Sequence, residues 1–392
     1  MRNIHVETIQ KPMHDVEFVE RKGLGHPDTI CDALGEEVSK ALCLEYINRF
    51  GAILHHNADK ITLVAGMSSP KFGAGEVISP IYIMLAGRAT QNVGSELFPV
   101  QEIAIQACND YLEKNLFALD VSTNVDLDSK LGQGSTDLQS VFERKKTAMP
   151  LCNDTSFGIG YAPLNELESL VYDVEQFLTA EGYRKKNPFI GEDVKVMGLR
   201  KSDGYVITVA DAFIGRYLSD LNDYKEMKQK TIDELNEFIK RESESPVDLI
   251  FNNCDDYANE SVYLTVTGLS AENGDDGAIG RGNRINGLIT PNRPMSLEAV
   301  AGKNPVNHTG KIYNILAHRT AEQIVDELSV SEAYVKILSG IGMRIDEPMA
   351  ASVQLVGAGN EEEKAAFDIL DYNLQEIQAL TRLFVDGKIK TF

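Results

Sequence analysis

The sequence predicts an α+β protein of three modules, with mainly antiparallel sheets. Three observations carry that prediction. Hydrophobic periodicity switches repeatedly between helical spacing and strict alternation, a strand pair followed by a helix recurs about three times, and 392 residues is long for one simple domain. The recurrence is one of pattern, without repeats of residue identity.

In chain order, Asp28 or Thr29 can cap a helix whose apolar residues Ile30, Leu34, Val38, Ala41 and Leu42 fall at helical spacing. Residues 60–65 and 76–86 read as strands. Residues 164–178 carry Leu167, Val171, Val174, Phe177 and Leu178 at helical spacing. Lys201-Ser-Asp-Gly204 then separates 194–196 from the alternating Tyr205, Ile207 and Val209, which signals a hairpin. Residues 216–242 read as a charge-laced helix, and 246–251 and 262–266 as strands. Helices are expected at 310–327 and 361–380, with a strand pair around 333–356 between them. Interleaved modules are expected at 1–148, 149–270 and 271–392.

Composition narrows the class. Hydrophobic residues make up 43% and charged residues 25%, as in a soluble globular protein. Lys and Arg total 38 against 59 Asp and Glu, a formal charge of -21. That balance argues against nucleic-acid or anionic-membrane binding, which needs a basic face. Any anionic ligand must be met by a few local cations. Cys31, Cys43, Cys108, Cys152 and Cys254 are odd in number, far apart and free of CxxC spacing, so neither a disulfide framework nor a zinc knuckle is expected. The N-terminus lacks the apolar core of a secretory signal. The longest apolar run, 77–87, is broken by Pro80 and falls short of the ~18 residues a spanning helix needs. A reducing cytoplasm is the expected setting.

Four segments are richer in Gly, Asp and cations than folding alone explains. Glu20-Arg-Lys-Gly-Leu-Gly-His-Pro-Asp-Thr29 stands before a helix, where glycines let backbone approach a ligand and the helix N-terminus favours an anion. His26 suits a phosphate oxygen and Asp28 a hard cation such as Mg²⁺, against the plain alternative that Pro27 and Asp28 merely start the helix. Gly132-Gln-Gly-Ser-Thr-Asp137 is followed by Glu143-Arg-Lys-Lys, where a polar loop is the competing reading. In Asn153-Asp-Thr-Ser-Phe-Gly-Ile-Gly-Tyr-Ala162, Gly158 and Gly160 lack the third glycine of a dinucleotide fingerprint. The densest segment runs Gly274-Asp-Asp-Gly-Ala-Ile-Gly-Arg-Gly-Asn-Arg-Ile-Asn-Gly287, then Thr290-Pro-Asn-Arg-Pro294 and Ala301-Gly-Lys-Asn-Pro-Val-Asn-His308. Adjacent carboxylates beside arginines and a lysine suit a metal-bound polyphosphate: acids take the ion, cations its phosphates.

His26-Pro-Asp28, the 154–162 stretch and the 274–308 run together resemble the archaeal-type S-adenosylmethionine synthetases (methionine adenosyltransferases) over nearly the whole chain. Likeness to the bacterial and eukaryotic branch is confined to short matches. The resemblance implies three related modules in a pseudo-threefold arrangement with helices on one face of each sheet. It also implies ATP and L-methionine as substrates, Mg²⁺ and K⁺ as cofactors, and a homodimer with sites between subunits, with tetramers left open. Carried over residue by residue, His26 faces the bond broken at ATP C5′ and Asp28 is a magnesium ligand. Asp275 lies near methionine, Arg281 binds triphosphate and Lys303 matches the lysine of a Gly-Lys-x-Pro pattern. Asp193 and Lys195 resemble an ATP-binding Asp-x-Lys element. Asp154 matches an aspartate near the nucleoside. Gly132, Gln133, Gly134, Ser135, Thr136 and Asp137 fall on an ATP-contacting loop, with Gln133 also towards methionine, and Glu76 matches a potassium ligand.

This chain departs from the bacterial pattern at Gly282, Asn307 and Thr309, where a lysine, a lysine and an aspartate stand. Arg284, Arg293 or His308 are candidate replacements for the lost charge, and Asp276 for the lost metal ligand. The implied chemistry is in-line attack of the neutral methionine sulfur on C5′, with no general base, then hydrolysis of triphosphate to diphosphate and phosphate. A different ATP-dependent phosphotransferase would carry GxxxxGK[ST] or kinase motifs, which are missing; a non-catalytic nucleotide-binding protein is the other rival. His55-His56 alternates on an expected strand, favouring a surface or interface role over a zinc site.

Overall fold

A computed structural model of the chain describes residues 2–134 and 149–392. Its framework is three four-stranded sheets built to one pattern. Each has an antiparallel pair at its centre: His56–Val64 with Ile81–Ala89, Val194–Lys201 with Gly204–Asp211, and Glu332–Leu338 with Ala350–Val356. In the second pair Lys201 faces Gly204 across the two-residue Ser202-Asp203 turn, as the sequence predicts. The first pair is lengthened by a hairpin, Met67–Lys71 with Ala74–Ser79.

A parallel strand flanks each pair on one side. Val125–Gln133 and Val247–Phe251 are reached through the helices Val100–Asn115 and Leu221–Glu242. The third sheet takes this strand from the other end of the chain, since Ile4–Ile9 runs parallel to Ala350–Val356. On the opposite side each sheet borrows an edge strand. Glu17–Lys22 pairs with Val194–Lys201, Phe157–Ala162 with Glu332–Leu338, and Gly277–Ala278 with His56–Val64. Each borrowed strand precedes a long helix that packs on a different sheet. Pro27–Phe50 covers the first, Glu166–Thr179 the second and Thr309–Glu327 the third. The exchange is therefore cyclic, and the sheets are knitted across residues 148 and 270.

Three cores follow from that layering. Ile30, Leu34, Val38 and Leu42 meet Ile61, Leu63, Ile83 and Leu85. Leu167, Val171, Val174 and Leu178 meet Val194, Val196, Ile207 and Val209. Ile312, Ile315 and Leu316 meet Val335, Ile337, Val353 and Leu355. Helical spacing on one side and alternation on the other put each apolar set on one face. Burial of each such side chain contributes about 1.5–3 kcal/mol.

Several expected elements break where local chemistry intervenes. Residues 76–86 are two strands, Ala74–Ser79 and Ile81–Ala89, separated at Pro80, which has no N–H to donate. The 216–242 helix starts at Leu221, because Asp220 caps it by accepting the Asn222 and Asp223 N–H groups. Only Leu264–Thr265 of 262–266 is strand, and 361–380 divides into Asn360–Gln375 and Ala379–Val385. All five cysteines are free, and only Cys254 is exposed. Among the described residues no helix is long and apolar enough to cross a membrane.

Candidate active site

Strand Glu17–Lys22 leads into Gly23-Leu24-Gly25, which lies against residues 192–194. Gly23 N–H donates to Val194 O at 2.7 Å and Gly25 N–H to Glu192 O at 2.9 Å. A Cβ on Gly25 would lie 2.6 Å from Asp193 N, so a side chain would force the two segments apart. These glycines serve the chain's own packing, where the sequence suggested approach to a ligand. The turn delivers His26 as the cap of helix Pro27–Phe50. Its Nδ1 accepts the Asp28 N–H at 3.2 Å, so neither Asp28 nor Thr29 is the cap. Burial, helped by the Lys22 ammonium, lowers the His26 pKa to about 4. The imidazole is then neutral near pH 7, and because Nδ1 accepts, Nε2 carries the hydrogen.

Around His26 stand acids and cations. Asp28 Oδ2 accepts from Lys22 Nζ at 2.8 Å, and Oδ1 accepts the Ala278 N–H at 2.9 Å. Burial alone would raise this carboxyl, but those two donors outweigh it and hold it below the usual range. Lys22 Nζ also donates to Arg281 O at 2.8 Å. Lys195 faces Lys22 across the strand pair, with its ammonium 3.1 Å from Glu20. Ser270 links Asp193 to Asp275. Its N–H lies 2.8 Å from Asp193 Oδ2, its hydroxyl reaches the same oxygen, and that hydroxyl is 3.0 Å from Asp275 Oδ2. Burial pushes Asp193 up to about 7. Asp275, Asp276 and Arg281 are exposed, and Asp276 Oδ1 accepts the Ala65 N–H at 2.8 Å.

Sequence reasoning missed Lys22, Glu20 and Asp32. The signals were available: Glu20 and Lys22 share a strand face, and Asp32 lies one helical turn beyond Asp28. Asp32 is buried. Its Oδ1 accepts the Gly280 N–H at 2.7 Å, while Oδ2 finds no hydrogen-bond partner among the described residues, and burial raises the carboxyl to about 7. A Cβ at Gly282 would lie 2.2 Å from Asp32 Oδ2, so a lysine at this position would have to displace the Asp32 carboxylate. The proposed replacements for that charge are engaged otherwise. Arg284 donates to Gly280 O at 2.7 Å and Gly282 O at 2.6 Å, inside its own loop. Arg293 pairs with Glu168 at 3.2 Å and Glu332 at 3.1 Å. His308 belongs to a second group.

That group surrounds the start of helix Thr309–Glu327. His308 caps it, with Nδ1 accepting the Gly310 N–H at 3.2 Å. Burial, assisted by Lys303, lowers its pKa to about 3. Lys303 is 3% exposed, with Nζ 2.7 Å from Glu298 and 3.4 Å from Asp59. Asp154 is exposed and joins Asn57, Lys60, Arg88 and His308 in lining a cleft of about 740 Å³. Gly132 and Gln133 end strand Val125–Gln133 beside Arg88, and Gln133 Oε1 accepts the Gln91 N–H at 2.8 Å. Gly134 follows and is buried. Ser135, Thr136 and Asp137 lie outside the described residues. Glu76 is exposed on the Met67–Ser79 hairpin and makes no side-chain hydrogen bond or ion pair with a described residue. No ion pair joins the two groups among the described residues. His55 and His56 are buried, not at the surface; His56 Nε2 is 2.8 Å from Ser39 Oγ and its Nδ1 3.0 Å from Leu54 O.

Among the described residues no cluster of three or more His, Cys, Asp or Glu side chains is arranged to cage a metal. Magnesium needs no cage, since it keeps waters and takes one or two carboxylates together with substrate phosphates. Asp28, with Asp275 close enough to act on the same imidazole, fits that requirement.

Carboxylates interleaved with lysine, arginine and neutral histidine at helix starts are the equipment of a transferase acting on a metal-bound polyphosphate. Comparison with known proteins makes this specific. The family model described as S-adenosylmethionine synthetase (AdoMet synthetase) matches residues 2–388. The chain is 50% identical to the S-adenosylmethionine synthase of Pyrococcus furiosus over 399 residues, spanning 100% of both chains. It is 49% identical to that of Archaeoglobus fulgidus over 400 residues, again spanning 100% of both. A solved structure, an unusual S-adenosylmethionine synthetase from Campylobacter jejuni, shares the fold with TM-score 0.63 at 15% identity, covering 96% of this chain and 94% of that one. The chain belongs to the S-adenosylmethionine synthetase family, and S-adenosylmethionine synthesis is its function.

Proposed function

We propose that the His26 group is where ATP loses its triphosphate to methionine, with Mg²⁺ bound at Asp28. One observation carries this reading: a neutral imidazole with its Nε2 hydrogen free of the cap stands among Lys22, Lys195, Arg281, Asp28 and Asp275 at a helix start. Methionine sulfur is a neutral nucleophile, so the site must hold it in line with C5′ and stabilise the departing triphosphate. Bound Mg²⁺ supplies charge neutralisation to the phosphates. Arg281 and Lys195 bind phosphate oxygens, and His26 Nε2–H donates to the oxygen leaving C5′. Asp275 orients methionine through its ammonium, with Asp193 and Ser270 fixing that carboxylate from behind. Triphosphate is then hydrolysed to diphosphate and phosphate among the same cations.

The Lys303 group contributes the rest of the site. Asp154 faces the nucleoside across the 740 Å³ cleft, and Gly132, Gln133 and Gly134 border ATP and methionine. Because the two groups occupy different helix starts and no described ion pair joins them, we infer that a homodimer sets one subunit's His26 group against its partner's Lys303 group. Potassium fits less closely. Glu76 is one exposed carboxylate, which does not make a potassium site in one chain. A cytoplasmic setting agrees with the free cysteines.

Incubating the protein with ATP, Mg²⁺ and labelled methionine tests the reaction. The expected products are a cationic sulfonium, phosphate and diphosphate in equal amounts. ADP as the stoichiometric product, or ATP consumption without methionine, overturns it. Light scattering tests the assembly, and a fully active monomer at assay concentration rejects the shared site.

A further inference from the structure

We propose that Lys22 is a further triphosphate-binding cation, held on Asp28 and transferred to the polyphosphate when a divalent cation takes that carboxylate. The inference rests on the reading of the His26 group as the ATP site and adds a residue that neither the motifs nor the resemblance assigned.

The first ground is a like-charge pair. Lys22 and Lys195 are direct partners across antiparallel strands, an arrangement that destabilises a sheet. The cross-strand repulsion is a cost to the sheet, whereas a polyanion gains from both ammoniums. The second ground is incomplete compensation on that face. Glu20 serves both lysines, at 3.1 Å from Lys195 but 3.8 Å from Lys22. Lys22 therefore depends on Asp28 Oδ2, at 2.8 Å, for its close counter-charge.

The third ground is competition. Asp28 Oδ2 is an oxygen that a hard cation would take, and cation and ammonium repel at such range. Displaced from Asp28, the Lys22 side chain, 10% exposed, would keep Arg281 O and the distant Glu20. A buried ammonium needs a partner. A polyphosphate bound by the Arg281 side chain would supply that partner, since Lys22 already contacts the Arg281 backbone oxygen. A lysine at position 282 would have to displace the Asp32 carboxylate, whereas Lys22 places an ammonium beside the same loop from the neighbouring strand.

The test is calorimetric titration of inorganic tripolyphosphate, so it reads binding and not turnover. With Mg²⁺ present, Lys22→Gln should weaken binding ~10-fold to ~100-fold, the range for a hydrogen bond to a charged group, and Lys22→Arg should retain most of the affinity. Arg281→Ala is the control for the site. If Arg281→Ala weakens binding and Lys22→Gln does not, Lys22 is a structural ion pair and the inference falls while the site reading stands. If neither weakens it, both fall. Should Lys22→Gln not fold, Asp28→Asn is compared with the double variant Asp28→Asn/Lys22→Gln, which carries neither charge of the pair. Without metal, the single variant should bind tripolyphosphate about tenfold more tightly, because its lysine is released. Equal affinities reject the proposal.

Discussion

Two long helices in this protein begin with a histidine cap, and the two ends are built differently. At both, Nδ1 accepts the N–H two residues on, and burial keeps the ring neutral near pH 7. At the His308 end, one ammonium is held by two carboxylates, Glu298 and Asp59, and is almost wholly buried. At the His26 end, Arg281 is exposed and Lys195 has one carboxylate beside a side chain that is 42% exposed. The corresponding helix of the second layer is capped by Asn165 in a capping box with Glu168, which Arg293 and Tyr161 hold in turn. Cap chemistry alone therefore does not mark a reaction centre. The ends differ in their central ammonium. Lys303 beside His308 is buried and doubly paired, with Lys60 and the exposed Arg88 on the wall of the same cleft. Lys195 beside His26 keeps one carboxylate and stays open to an anion, which suits a site where negative charge grows.

The largest effect that would break this contrast is on stability. Lys303→Ala leaves Asp59 and Glu298 without their shared cation, and breaking a buried pair from one side costs about 3–5 kcal/mol. Asp59 keeps Lys60 at 3.0 Å and Glu298 keeps some solvent contact, which together favour the lower end. Urea unfolding checks it. A change near zero would mean that Lys303 is as loosely matched as Arg281, and the two ends would no longer differ.

Next in size is an effect on turnover at the other end. His26→Ala should lower kcat by ~10²–10³, about 2.7–4 kcal/mol, if its Nε2–H meets an oxygen that gains charge. Binding of ATP should weaken less than turnover falls, because the interaction strengthens only as the C5′–oxygen bond breaks. Asp28→Asn should instead be partly restored by raising Mg²⁺, a rescue that His26→Ala does not share. A magnesium titration of kcat and KM separates the two. The pH profile sharpens the assignment. With its pKa near 4, His26 loses its neutral form only as pH falls towards that value, so kcat should show no His26-linked step near 6.5. A step there that vanishes in His26→Asn would break it.

How much of this was legible depended on whether the signal was local. The apolar faces of the first two long helices and the Lys201–Gly204 hairpin were readable, because period and turn chemistry are properties of neighbouring residues. The cyclic exchange of edge strands was not. Nothing in Glu17–Lys22 says that it pairs with Val194–Lys201, some 175 residues away, when its own helix covers another sheet. The same limit applies to the candidate site. His26, Asp28, Asp275 and Arg281 stood out because they sit in dense motifs. Lys22 and Asp32 did not, because their meaning comes from Lys195, Gly280 and Gly282, contacts that only tertiary structure supplies. Glycines misled for a related reason. Gly158 and Gly160 fall in a segment richer in glycine than folding seemed to explain, yet Cβ atoms there would lie 2.1 Å from Tyr313 C and 2.2 Å from His318 N, so they let strand Phe157–Ala162 lie directly on helix Thr309–Glu327.

The smallest effect concerns Asp32, which tests whether the His26 end is strained by its acids as well as open to anions. Burial raises its carboxyl from 3.8 to about 7. Between those values the folded protein holds a proton that the unfolded chain has released, so this group's contribution to stability falls as pH rises through the window. The slope is about 1.4 kcal/mol per pH unit inside the window, so moving from pH 5.5 to 7 should remove at most about 2 kcal/mol. Asp32→Asn cannot titrate. Its oxygen can still accept the Gly280 N–H, so any fixed penalty for the amide is the same at both pH values and cancels in the comparison. Measured as unfolding free energy against pH, the variant should gain on the parent protein between pH 5.5 and 7. A gap that stays constant would mean that Asp32 is charged throughout, with Arg284 as its effective counter-ion. Both groups would then hold matched charges around their histidine caps, and the distinction between them would rest on Lys195 and Arg281 alone.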